Sequence, residues 1–313
     1  MTTVVLVLAR AFHIGSAMML VALPFFILVI MAPVQGADST ANYNSLYQRM
    51  IKWLWGALIL ETLSGFIWFW FVTAQMSDQS PWGILDAADL NTVLWQTQFG
   101  QLWLGRAAIG IALGLALYFA SRKQDRMPPK SFLLDWLILI ISGVLLITLA
   151  WAGHAAAGIH FHVLHLFADT LHLLIGAIWP IGLIPMVFFL SFIRGGNQIV
   201  PSHFEIKVVQ RFSRVSFLAV CALVTTGLVN GWLMIGTWSA LVTTTYGWLL
   251  LGKVLVVVIM IGLGAINRLY LIPRLETAPT LAGTLQRIVL IESILAALVL
   301  SIVAMMGMTS PPS

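Results

Sequence analysis

Apolar residues along this chain neither alternate nor form short amphipathic stripes; they run on. Runs long enough to cross a bilayer (about 20 residues) lie near 4–31, 50–76, 96–120, 132–153, 163–193, 207–235, 247–272 and 285–308. The pattern predicts an all-α polytopic membrane protein with about eight transmembrane helices. The first run starts almost at Met1, but it has no basic leader and no small-residue cleavage site, and it carries Arg10 and His13. It therefore reads as a retained helix rather than a signal peptide.

The polar positions between the runs supply an orientation. Arg49 and Lys52 flank one connection, and Arg122, Lys123, Arg126 and Lys130 fill the next basic one. Arg194, Lys207, Arg211 and Arg214 mark a third, and Arg268, Arg274 and Arg287 a fourth. The alternate connections, near 77–95, 154–162 and 236–246, have no Lys or Arg. By the positive-inside rule both termini face outward, which in a Gram-negative cell is the periplasm. Composition agrees with the class: 60% of residues are hydrophobic and 9% charged, against about 25% charged in a soluble domain. The net charge of +5 belongs to the cytoplasmic loops and needs no nucleic acid to explain it. Cys221 stands alone, which excludes an intramolecular disulfide and a cysteine-based zinc cluster.

The chain also resembles itself. "TQFGQLWLGR" (97–106) aligns with "TTYGWLLLGK" (244–253), and "QRMIKWLWGALILETLSG" (48–65) with "QRFSRVSFLAVCALVTTG" (210–227). More weakly, "ARAFHIGSA" (9–17) aligns with "ADTLHLLIG" (168–176), setting His13 opposite His172. The offsets are 244 − 97 = 147, 210 − 48 = 162 and 172 − 13 = 159. Each half holds about four helices in the same topology, which predicts a parallel duplication about an axis along the membrane normal. On this reading 1–125 holds the first three helices, 126–155 the fourth, and 156–313 the second repeat, all in one membrane domain. His13 and His172 then occupy equivalent places and are expected to face each other near the axis.

Five of the seven histidines crowd into "GHAAAGIHFHVLHLFADTLHLL" (153–174): His154, His160, His162, His165 and His172. On a helix of 3.6 residues per turn, His162, His165, Asp169 and His172 share one face, and Gly176 and Leu183 extend it, with Trp179 at its edge. A carboxylate one turn from an imidazole can hold its N–H and leave the other nitrogen for a metal. His13, His154, His160, His162, His165 and His172 are therefore candidate metal ligands. Asp169, Glu61, Glu292 and Trp179 are candidates for a supporting shell or an ion path, because intramembrane acids normally face a cavity or a partner. Glu292 has Arg268 and Arg287 as possible ion-pair partners. Arg106 and Lys253, aligned by the repeat, read as snorkelling residues that set depth. Met305, Met306 and Met308 add thioethers suited to Cu(I). No Walker A, dinucleotide fingerprint or nucleophile elbow is present, so no enzyme activity is expected.

The stretches "WQTQFGQLWLGR", "GHA", "ADTLHLLIGAIWPIGLIP", "RFSRVSFLAVCALVTTGLVNGWL" and "TTYGWLLLGKVLVVVIMIGLGAINRLYLIPRL" resemble the copper resistance protein D (CopD) family. The resemblance covers nearly the whole chain and is most specific from 151 to 274. It implies an eight-helix bacterial inner-membrane protein of copper homeostasis that moves copper from periplasm to cytoplasm. It also implies a small periplasmic copper-binding partner of the CopC type; a homo-oligomer is compatible with it. By motif position His13, His154 and His172 match family histidines, and His165 matches a position that is often histidine. The family tends to have Trp-x-Gly-Gly where this chain has Trp179-Pro180-Ile181-Gly182, and Pro180 is expected to kink the helix. Two alternatives stay open at this point. One is a haem-b electron-transfer protein with His13 and His172 as axial ligands. The other is a sensor or assembly factor that binds copper, as Cu(I) or Cu(II), without conducting it.

Overall fold

The computed structural model describes residues 1–35, 40–83, 85–122, 132–151, 162–194 and 203–309. His154 and His160 lie outside the described residues. All elements among the described residues are helical, and eight helices are long and apolar enough to cross a membrane. In chain order they are α1 (Thr2–Phe25), α2 (Thr40–Met76), a short α3 (Ala87–Gln96), α4 (Gln98–Ser121) and α5 (Phe132–Trp151). Then come α6 (His162–Ile178), α7 (Leu183–Arg194), α8 (His203–Ile235), a single-turn α9 (Ala240–Thr243), α10 (Thr245–Ile266) and α11 (Leu281–Met306). α6 and α7 together make the fifth span.

The first span is the central one. In its most apolar window 67% of residues are buried, against 6% for the span that contains α10. α1 packs on α2, α5, α6 and α11. Towards one end Phe26, Leu54, Leu117, Phe189 and Phe212 share a core. Towards the other Ala17, Val21, Leu146, Ala177 and Ile181 make a second. Lipid is as apolar as these side chains, so close van der Waals fit rather than escape from water holds such helices together.

Proline sets where the helical register fails. Pro33 has no N–H to give Val29 O four residues back, and the chain there passes through a π-helix, Phe26–Met31, into a 3₁₀ turn. The freed carbonyl of Val29 is taken by Arg211 Nε of α8 at 2.5 Å. Pro180 acts the same way on Gly176 O, which receives Ile181 N–H instead. The expected kink is an interruption by turns at 179–182, bridged by backbone hydrogen bonds, and the α-helical stripe begun at His162 ends at Ile178. Gly182 is needed there, because a Cβ would strike the carbonyl of Ile178.

Local geometry recurs at the offset of 147. Thr97 Oγ1 accepts from Gly100 N–H at 3.0 Å and caps α4; Thr244 Oγ1 accepts from Gly247 N–H at 3.0 Å and caps α10. Both glycines lie so close to the preceding turn that a Cβ would meet its backbone.

Candidate functional site

The two histidines aligned in the sequence, His13 and His172, each turn to the span that follows their own. His13, on α1, has no exposed surface. Its Nδ1 lies 2.9 Å from the backbone oxygen of Glu61 on α2. A carbonyl only accepts, so Nδ1 carries the proton and Nε2 keeps its lone pair. Arg106 NH2 donates to that lone pair at 2.7 Å and to Glu61 Oε1 at 2.6 Å. Its other terminal nitrogen donates to Leu145 O at 2.9 Å and to Thr148 Oγ1. Trp68 and Trp103 close the box, with ring centroids 5.4 and 5.1 Å from the imidazole. Arg106 is thus no snorkelling residue. It is 3% exposed and is the hub of a buried network.

Gly65 lets the imidazole in. A Cβ there would come within 2.8 Å of Trp103 Cζ3 and 2.9 Å of His13 Cε1. Gly65→Ala is expected to cost about 1–3 kcal/mol through overpacking, read as a lower unfolding midpoint in detergent. Gly227→Ala, at the aligned position, should cost less, since its Cβ would stand 3.3 Å from His172 Cε1.

In the second half His172, on α6, places Nδ1 2.9 Å from Thr226 Oγ1 on α8. That hydroxyl already donates to Ala222 O at 2.9 Å, so its oxygen accepts and Nδ1 again carries the proton. Nε2 again holds the lone pair, but among the described residues it has no hydrogen-bond partner. Lys253, aligned with Arg106, makes no hydrogen bond to it and acts only at Coulombic range, on His172 and on Asp169 alike. His165 is buried one turn before Asp169, at 8% exposure, and Asp169 is half-buried.

The structure therefore regroups the expected site residues. His13 and Glu61 belong with Arg106 in the first half. His165, Asp169 and His172 share α6 in the second. His13 and His172 do not pair across the axis; each hydrogen-bonds within its own half. His162 begins α6. Trp179 stands in the break, buried on the wall of a cavity that also holds Glu292. Glu292 takes neither suggested arginine: Asn267 Nδ2 donates to it at 2.8 Å, while Arg268 donates to Ser213 O at 2.8 Å. Met308 Sδ lies 3.7 Å from Arg10 NH1. No group of three His, Cys, Asp or Glu among the described residues is spaced to hold a metal ion. Sequence reasoning missed the Arg106 hub. Its signal was an arginine inside an apolar run in the same half as an intramembrane histidine and glutamate.

The family model for copper resistance protein D matches residues 206–306, and that for its N-terminal domain matches residues 1–161. The chain belongs to the copper resistance protein D family. It is 31% identical to Copper resistance protein D of Pseudomonas syringae pv. tomato over 249 residues, 75% of this chain and 76% of that protein. It is 29% identical to Inner membrane protein YebZ of Escherichia coli K12 over 62% of each chain. It is 30% identical to Copper transport protein CutJ of Bacillus subtilis 168 over 63% of this chain and 35% of that one. No solved structure matches. Within the family, the match to copper resistance protein D itself covers Thr226 and Lys253, while His172 falls between the two matched stretches.

Proposed function

We propose that this protein carries copper across the bacterial inner membrane from periplasm to cytoplasm, and that His172 is the imidazole within the span that holds the ion. The observation that carries this reading is the contrast between two like-oriented imidazoles. The Nε2 lone pair of His13 is occupied by Arg106, whereas that of His172 is open. A neutral imidazole with one N–H anchored is the form that binds a metal, and it suits both Cu(I) and Cu(II).

In this reading the outward connection, with His154, His160 and His162, gathers the ion and passes it to His165 and then His172. Asp169 offsets its charge. Lys253 opposes it, keeping the site weak enough to release what it binds, as conduction requires. His13 and Glu61 are structural. A periplasmic CopC-type protein would deliver the ion to the histidine-rich end, where both termini also lie.

The test is a Cu(I) titration of the purified chain against a competing chelator, with His165→Ala/His172→Ala as comparison. The wild type should compete and the variant should lose at least about tenfold in affinity. A wild type that takes no copper from the chelator, or a variant that binds as well, overturns the site. A Soret band in the purified protein would replace it with the haem reading. Copper flux into liposomes, absent in the double variant, separates transport from binding alone.

A further inference from the structure

At the basic end of the second half a cavity of about 260 Å³ lies between α7, α8, α10 and α11. Trp179, Leu183 and Phe212 are among its apolar walls. Glu292, only 1% exposed, and Asn267, 6% exposed, form its polar end. One oxygen of Glu292 takes the Asn267 amide. Glu292 Oε1, Asn267 Oδ1 and Ser216 Oγ on the facing α8 are buried and have no hydrogen-bond partner among the described residues. Buried polar atoms are nearly always satisfied. A carboxylate oxygen and an amide oxygen both call for a donor, and walls of this kind call for an apolar body behind it.

The first half shows which donor. It too has a buried acid on its last span, Asp135, and there the phenol of Tyr47 donates to Asp135 Oδ1 at 2.8 Å. The position aligned with Tyr47 at the offset of the second spans is Val209 (209 − 47 = 162), and Val209 lines the cavity. The second half therefore has an acid without its phenol, and a space on the side from which a phenol would come. Phe217 and Leu269, 50% and 64% exposed, and exposed Ala265 also line the cavity. They mark its mouth between α8 and α10, on an apolar outer surface.

We propose that this cavity binds a lipid-phase molecule with a phenolic head, a hydroquinone on an apolar tail. Its hydroxyl donates to Glu292 Oε1, beside Asn267, and its ring lies among Trp179, Phe212 and Val209. The site is independent of the copper reading.

The experiment is anaerobic calorimetric titration of the full chain in detergent with three probes: decylhydroquinone, its dimethyl ether, and decanol. The hydroquinone should bind about tenfold or more tighter than either of the others, because the ether cannot donate and decanol lacks the ring. Val209→Tyr, which rebuilds the first half's contact, should lower hydroquinone affinity by at least about tenfold and leave Cu(I) affinity unchanged. Equal binding of hydroquinone and ether shows that no donor is read, and equal binding of decanol shows that no phenol is; either overturns the proposal. So does unaltered hydroquinone binding by a folded Val209→Tyr. If that variant does not fold, Ala265→Phe at the exposed mouth takes its place, with the same loss expected and the same reversal if binding persists.

Discussion

Arg106→Met is expected to destabilise the protein by about 3–5 kcal/mol, the usual cost of leaving one partner of a buried ion pair alone. The guanidinium satisfies four acceptors from three other spans: His13 Nε2, Glu61 Oε1, Leu145 O and Thr148 Oγ1. Methionine matches much of its length and supplies none of its donors. The Glu61 carboxylate, 6% exposed, is then left with no counter-charge. Thermal unfolding in detergent should show a large fall in midpoint. Arg106→Met/Glu61→Gln should recover more than half of it, because both charges leave together and their neutral replacements tolerate the apolar surroundings. A single variant that melts like the wild type would falsify the claim that this pair organises the first half.

Lys253→Arg is expected to weaken Cu(I) binding by about tenfold or more, although the charge is unchanged. Arg106 shows what a guanidinium does at the aligned position: its fork reaches the imidazole lone pair while holding a second acceptor. An ammonium is a compact point charge, and here it makes no hydrogen bond to His172. Arginine at 253 should therefore close the second imidazole as Arg106 closes the first. Lys253→Met should act in the opposite direction and tighten binding, since it removes a like charge from beside the ion. The chelator competition used for the histidine variants reads both. A Lys253→Arg variant with wild-type affinity would separate openness of His172 from the identity of residue 253.

Eight spans were legible in the chain because membrane crossing is a matter of length and apolarity, and both are local. Most ends moved by a few residues, as at α8; α2 begins at Thr40, ten residues before its apolar run, because its helix continues into polar turns. The break of the fifth span was legible too, in Pro180. What could not be read was which polar side chains meet. The alignment of His13 with His172 suggested a pair across an axis, but equivalence under a parallel duplication places two residues alike without placing them together. Arg106 and Lys253 looked interchangeable, since both are basic and aligned; only the hydrogen bonds tell them apart, for Arg106 donates to His13 and Lys253 makes no hydrogen bond to His172. Glu292 has Arg287 shortly before it and Arg268 at the end of the preceding span, yet Asn267, one residue before Arg268, is the residue that turns towards it. His154 and His160 lie outside the described residues, so the part proposed for them rests on the sequence.

The interruption at Trp179–Gly182 divides more than a helix. The first rod, α6, leans on α1, α5 and α8, and the second, α7, leans on α11 and α2. His172 rides on the first, while Leu183 and Met186 of the cavity wall ride on the second. A continuous helix would transmit a twist or a shift from one end of the span to the other. Two rods joined by a turn meet only through it, and Trp179 is the link: its N–H is held by Ile175 O of α6, its carbonyl takes Leu183 N–H of α7, and its ring lines the cavity.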